Sequence, residues 1–123
     1  MSNKAGLRLR LMSSYMGLGT EELATLLGVS PRSVRRWKTG EADIPFNVQM
    51  IFDETVVRFY DLVDKLYDQA EEQGFIPYAV GSSASPLNAQ AVAPSFFNAA
   101  AAQALTLCEM DDLKYEIKEI TLD

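Results

Sequence analysis

Hydrophobic residues in the first 40 positions recur every three or four residues, and glycine or proline interrupts the pattern at short intervals. This spacing predicts three short helices, over residues 7–17, 20–27 and 31–38. In the first helix, the stripe expected to face the core contains Leu7, Leu11, Ser14, Tyr15 and Leu18. In the other two helices, the positions expected to face inward are Leu23, Ala24, Leu27, Val34 and Trp37.

The residues between the second and third helices predict a tight turn. Gly28 stands where the second helix should end, and the left-handed backbone common at such ends is easy only for glycine. Ser30 is a favoured N-cap residue and Pro31 a favoured first-turn residue, so a new helix should begin there. Two short helices joined in this way are typical of a helix-turn-helix.

A long helix is predicted from Pro45 to about residue 73, because hydrophobic residues continue there at steps of three and four. The main stripe contains Val48, Phe52, Val56, Phe59, Val63, Leu66 and Ala70. A second apolar set contains Ile51, Tyr60, Leu62 and Tyr67. A helix that is apolar on two sides needs more cover than a small three-helix head offers.

The C-terminal part of the chain mixes strand and helix signals. Residues 75–80 predict a short strand, which Pro77 would confine to a sheet edge. The segment 81–94 is rich in Ser, Ala, Pro and Asn and indicates a linker. An Ala-rich helix is predicted over residues 95–109. The period-two alternation of residues 113–118 predicts a half-buried strand.

These elements together predict a mainly α fold. We expect an N-terminal helix-turn-helix bundle with a long fourth helix over residues 1–73, and a small α+β region over residues 74–123. The long helix and the strand near residues 113–122 are the candidate dimer surfaces, because an edge strand can pair with its mate across a two-fold axis. We therefore expect the C-terminal region to serve in dimerisation.

Charge is distributed unevenly along the chain. The net charge of the 123 residues is −6, which taken alone argues against a nucleic-acid partner. Residues 1–40 hold seven basic and two acidic residues, however, which gives +5. Residues 41–123 hold four basic and fifteen acidic residues, which gives −11. A basic head can approach phosphates while an acidic body resists non-specific adhesion.

The residue types present exclude several kinds of chemistry. The sequence has no histidine and one cysteine, Cys108, so a Ser-His-Asp triad, an intrachain disulfide and most zinc sites are ruled out. No phosphate-cradling glycine loop is present, and we expect neither an enzyme nor a cofactor. The N-terminus lacks an apolar signal core and no run is long enough to span a membrane, which favours a soluble, cytoplasmic protein.

Several spaced residues carry a family resemblance: Glu21-Glu22-Leu23-Ala24, then Leu27-Gly28-Val29-Ser30, then Val34, Trp37 and Gly40. With these residues the chain resembles the Cro/cI-type (lambda-repressor-like) helix-turn-helix DNA-binding domains over residues 5–60. Trp37 and Gly40, followed by an acidic loop and Ile44-Pro45, also resemble small phage and prophage regulators, including anti-CRISPR-associated repressors.

The resemblance implies that the third helix enters the major groove of double-stranded DNA. The residues it places at base edges are Arg32, Ser33 and Arg36. The residues it places at phosphates are Thr20, Arg35 and Lys38. Thr20 stands where the family often has glutamine, and Pro31 stands where it commonly has a polar base reader. Sequence preference should therefore depend on Arg32 and Arg36 more than usual. Arg8 and Arg10 could touch phosphate or simply solubilise the surface.

The leading hypothesis is a dimeric repressor of its own operon that reads a pseudo-palindromic operator through helix 31–38. The alternative is an antitoxin-like or other protein-interaction module, in which the basic helix binds an acidic partner or the acidic body binds a basic one. The two hypotheses are compatible, since antitoxins combine both activities. Neither includes a membrane partner.

Overall fold

The computed structural model describes residues 4–80 and 93–121. In chain order the elements are α1 (Lys4–Tyr15), α2 (Thr20–Leu27), α3 (Pro31–Thr39), α4 (Phe46–Gln73), β1 (Phe75–Val80), α5 (Pro94–Met110) and β2 (Glu116–Thr121). The fold is therefore mainly α, as predicted, with a long fourth helix and a small α+β region at the C-terminal end. Most of the predicted linker 81–94 lies outside the described residues.

The chain divides into two compact units, Met1–Val57 and Arg58–Asp123. The division falls inside α4, whereas the boundary predicted after residue 73 coincides with the end of that helix. The predicted main stripe of α4 is confirmed, since all seven of its members from Val48 to Ala70 are buried. Of the second set, Ile51 and Tyr60 are exposed, and Leu62 and Tyr67 are half-buried.

In the first unit, the predicted inward positions of α2 and α3 are confirmed. Leu23, Ala24, Leu27, Val34 and Trp37 are all buried. Val29, which the pattern also favours as core, is half-buried. Both α1 and α2 pack against α3, so α3 is held from two sides while its remaining surface faces solvent.

The buried face predicted for α1 is wrong at four of its five members, and only Leu18 is buried as expected. Leu7 is 51% exposed, Leu11 is 73% exposed, and Ser14 and Tyr15 are also exposed. The helix instead buries Gly6, Leu9 and Ser13, followed by Met16 and Leu18 just beyond its end. Residues 6, 9, 13 and 16 are spaced as regularly as residues 7, 11 and 15, so periodicity alone fits either face. The observed face contains Gly6 and Ser13, whose small size allows close packing.

In the second unit, β1 and β2 form a two-stranded parallel sheet in which Phe75 pairs with Glu116 and Val80 with Thr121. Helix α5 lies between the strands in sequence and packs on β1. Phe96 and Phe97 on α5 are buried, and the Phe96 ring meets Phe59 edge to face at 5.3 Å between centroids. The buried face of α5 also contains the small residues Ala100, Ala101, Ala104 and Cys108, whereas Leu105 and Leu107 are half-buried.

The strand predicted over residues 113–118 is displaced and its burial is wrong. β2 begins at Glu116, and all its residues except Ile120 are exposed. Asp112, with φ of 56°, adopts the left-handed region and ends the turn after α5. Within the described residues no layer covers β2, and its two isoleucines, Ile117 and Ile120, are three positions apart and therefore lie on opposite faces of the sheet.

Candidate nucleic-acid interface

The turn between α2 and α3 follows from its local sequence. Gly28 has φ of 70° and ψ of 34°, a conformation that costs a residue with a Cβ about 1–2 kcal/mol. In this conformation the Val29 N–H donates to the Ala24 carbonyl at 3.0 Å, which satisfies an acceptor at the end of α2. The Ser30 hydroxyl accepts a hydrogen bond from the Ser33 backbone N–H at 3.1 Å, and Pro31 opens α3.

Helix α3 presents a basic surface because its apolar residues face the other way. Val34 and Trp37 are buried, whereas Arg32, Arg35 and Arg36 are exposed. Among the residues the structure describes, Arg32 and Arg35 make no side-chain hydrogen bond or ion pair. Their guanidinium groups therefore face solvent and pair with no carboxylate of residues 4–80 and 93–121, as a DNA-reading role requires.

Arg36 and Ser33 have partners within the chain. The Arg36 Nε lies 3.5 Å from Glu41 Oε2, and the two side chains are 50% and 67% exposed. An exposed pair of this kind contributes at most about 1 kcal/mol, so a stronger acceptor can displace it. The Ser33 hydroxyl lies 3.0 Å from the Ser30 hydroxyl in the cap of α3. A base contact from Ser33 would have to use whichever donor or acceptor position of the hydroxyl this bond leaves open.

The structure brings together two of the residues predicted at phosphates. The Lys38 Nζ donates to the Thr20 Oγ1 at 3.2 Å, which joins the end of α3 to the first residue of α2. Burial, and secondarily the positive charge of Arg10, lower the pKa of the Lys38 ammonium from its usual value. A phosphate placed beside these cations would relieve the repulsion between them.

Arg10 is a candidate phosphate contact for which the sequence left two roles open. It is exposed on α1, and its positive charge contributes to the lowered pKa of Lys38 although 28 positions separate the two residues. Arg8 is different, because its Nη1 donates to Asp53 Oδ1 at 2.8 Å and its guanidinium carbon lies 5.5 Å from the centre of the Phe52 ring. The charge of Arg8 is thus already matched, and Arg10 is the better candidate for a phosphate contact.

Other kinds of site receive no support in the described part of the chain. Residues 4–80 and 93–121 contain no group of three or more His, Cys, Asp or Glu side chains that could hold a metal ion. Across the same ranges, no helix is both long enough and apolar enough to cross a bilayer. Cys108 is free and buried, and burial raises the pKa of its thiol, which disfavours the reactive thiolate.

No family model matches this chain. Over 61 residues it is 41% identical to a protein of Pyrococcus furiosus named "Putative HTH-type transcriptional regulatory protein". The match covers 46% of this chain and 19% of that protein, so the chain spans about a fifth of its relative's length. The chain is therefore similar to one part of a protein that is named as a helix-turn-helix regulator.

Proposed function

We propose that this chain is a DNA-binding transcriptional regulator that places α3 in the major groove of a duplex. The observation that carries the proposal is the orientation of α3, with Val34 and Trp37 buried and the arginines on the opposite surface. The name of the Pyrococcus furiosus relative supports the same class of function. Because the arginines lie on a packed helix, little backbone ordering remains to oppose binding.

Sequence reading is assigned first to Arg32, because its guanidinium faces solvent near the start of α3. Arginine can donate two hydrogen bonds to guanine O6 and N7, which is worth about 1–3 kcal/mol of discrimination against another base. Arg36 lies one turn later, and its guanidinium would leave the ion pair with Glu41 to bind a base edge. Ser33 is the weakest of the three proposed readers, since its hydroxyl already takes part in the helix cap.

Phosphate binding is assigned to Arg35 on the flank of α3 and to the pair of Thr20 and Lys38 at the start of α2. We add Arg10 to this set because its charge reaches Lys38. Backbone N–H groups at the start of a helix also favour anions, so a phosphate at Thr20 would meet both kinds of donor. These contacts position the protein on the duplex without reading its sequence.

The finer parts of the proposal follow from the resemblance. The head is of Cro/cI type, and the regulator acts in the cytoplasm as a homodimer on a pseudo-palindromic operator, as phage and prophage repressors do. Half-sites would then lie about 34 Å apart, one turn of the duplex. Repression of its own operon is the proposed outcome, and the protein acts by binding, without catalysis or a cofactor.

Selection of bound fragments from random duplex DNA tests the proposal, because it reports binding, half-site symmetry and spacing together. On the selected site, Arg32→Ala should weaken binding by roughly 5- to 150-fold and relax the preference at one base pair. Arg35→Ala should weaken binding to all duplexes alike and reduce the slope of log K against log salt by about 1.

Arg58→Ala is the matched control, since it removes the same charge from an exposed position on α4. It should leave the affinity nearly unchanged. Enrichment of no sequence would contradict the sequence-specific regulator. Equal losses in Arg32→Ala and Arg58→Ala would contradict the role of α3. Capture of a protein partner that survives nuclease treatment, with no binding to any duplex, would favour the interaction-module alternative.

A further inference from the structure

The two outer edges of the β1-β2 sheet differ in how they are protected. The Glu116 N–H donates to the Gly74 carbonyl at 2.9 Å, so the Glu116 backbone faces β1. Backbone groups alternate sides along a strand, and those of Phe75, Pro77 and Ala79 therefore point away from β2. Pro77 has no N–H. Both backbone groups of Ala79 are hydrogen-bonded to the Asn98 side chain. The Ala79 N–H donates to Asn98 Oδ1 at 2.8 Å, and Asn98 Nδ2 donates to the Ala79 carbonyl at 3.0 Å.

The outer edge of β2 has no such protection within the described residues. By the same alternation, the backbone groups of Ile117, Glu119 and Thr121 point away from β1. All three residues are exposed, and Ile117 is 59% exposed. An open edge of this kind is a template for another strand.

The charges on β2 complement a second copy of β2 in one antiparallel register. A two-fold axis perpendicular to the sheet must pass through a residue that lies opposite its own copy. With the axis at Ile117, the two Ile117 side chains are neighbours, and each Glu116 lies opposite Lys118 of the second copy. Moving the axis to Lys118 or Glu119 would place like charges opposite each other, which is destabilising.

The hydrogen-bond pattern agrees with that register. Because the Ile117 backbone faces outward, the two copies of Ile117 would form a hydrogen-bonded pair and exchange both N–H···O bonds. Glu116 and Lys118 would then fall at non-hydrogen-bonded positions, where opposing side chains lie closest. The Lys118 Nζ lies 4.7 Å from the centre of the Phe75 ring on β1, so pairing with Glu116 of the second copy would turn this exposed ammonium from that ring toward the outer edge of β2.

We propose that β2 pairs antiparallel with β2 of a second copy of this chain about a two-fold axis at Ile117, with reciprocal Glu116–Lys118 pairs on either side. This gives the homodimer of the proposed function a specific interface. The test contains no DNA. Failure of the interface therefore leaves DNA reading by α3 untouched, and failure to bind DNA leaves the interface untouched.

Charge exchange tests the register by sedimentation equilibrium of the full chain. In Glu116→Lys the introduced lysine faces Lys118 of the second copy, and in Lys118→Glu the introduced glutamate faces Glu116. Each variant turns two attractions into repulsions, so its dimer dissociation constant should rise by about 5- to 30-fold. An equimolar mixture of the two variants should recover the affinity, because all four facing charges in the mixed dimer are opposite.

Glu119→Lys is the matched control. It changes net charge as Glu116→Lys does, but residue 119 faces Tyr115 in this register, so self-association should stay within about twofold of the wild type. Circular dichroism checks that every variant stays folded. A wild-type chain that remains monomeric at all concentrations would overturn the proposal. So would a mixture that fails to recover, or a Glu119→Lys variant as weak as Glu116→Lys.

Oxidative crosslinking supplies a second readout. Cα atoms of a hydrogen-bonded antiparallel pair lie about 5.5 Å apart, within the range of a disulfide. Ile117→Cys should therefore yield a covalent dimer. Thr121→Cys should not, since residues four positions from the axis lie about 27 Å from their mates. The wild type controls for Cys108, which is buried. Equal crosslinking of both variants would contradict the register.

Discussion

Replacement of Gly28 by alanine tests whether the turn between α2 and α3 depends on a left-handed residue. Gly28 has φ of 70°, and a Cβ built on it would meet no atom within 4 Å. The substitution therefore introduces no steric clash with neighbours. What remains is the backbone penalty, about 1–2 kcal/mol for a residue with a Cβ in this region.

Part of that penalty is offset in the unfolded state. Alanine has less conformational freedom than glycine when unfolded, which stabilises the folded protein by about 0.4–1 kcal/mol. The expected net loss for Gly28→Ala is about 1 kcal/mol. Gly28→Asn should lose less, because asparagine enters the left-handed region more readily. The free energy of unfolding should therefore decrease in the order wild type, Gly28→Asn, Gly28→Ala.

Urea unfolding followed by tryptophan fluorescence is the appropriate assay, since Trp37 is the single tryptophan and is buried in the unit that contains the turn. A loss of about 1 kcal/mol should lower the midpoint by roughly 0.3–1 M. Gly19→Ala is the control. Gly19 has φ of −75°, and its added Cβ would lie 3.4 Å from Glu22 Oε1, an ordinary contact.

Gly19→Ala should shift the free energy of unfolding by no more than about 0.5 kcal/mol. The reasoning would be refuted if Gly28→Ala unfolded at the wild-type midpoint, or if alanine and asparagine at this position were equally stable. The first result would mean that the turn relaxes to another conformation. The second would mean that the sign of φ is not what glycine supplies here.

Two further predictions concern other parts of the chain. Leu9→Ala should destabilise the first unit by about 2–5 kcal/mol, because Leu9 is 1% exposed. Leu11→Ala should cost less than about 0.5 kcal/mol, because Leu11 is 73% exposed. Thermal unfolding compares the two variants, and similar shifts would favour the face of α1 that was predicted from the sequence. The Tyr67 hydroxyl donates to Asp111 at 2.6 Å, which raises the pKa of Tyr67 from 10 to about 12. A pKa raised by folding contributes stability that is present below pH 10 and lost as the pH rises toward 12. Asp111→Asn should return the pKa toward 10 in a tyrosinate absorbance titration, and an unmoved titration would exclude Asp111 as the cause.

Features that depend on neighbouring residues could be predicted from the amino-acid sequence. The stop at Gly28 and the start at Ser30-Pro31 are set by backbone preferences within a few positions, so the bounds of α2 were predicted to the residue. The main stripe of α4 was also predictable, because its seven buried positions keep one spacing over many turns. The exposed arginines of α3 followed from the burial of Val34 and Trp37.

Where two patterns were locally equivalent, packing against distant segments selected one of them. The leucines of α1 occupy more than one face, and packing of Gly6, Leu9 and Ser13 selected the buried one. Contacts between residues distant in sequence were likewise invisible, such as Lys38 with Thr20 and Asn98 with Ala79. Residues 113–118 alternate like a half-buried strand, yet β2 is exposed, because burial depends on what another element covers. The spacing of residues along the chain determines which of them lie on the same face of a helix or strand. Whether that face is buried depends on which distant segments pack against it.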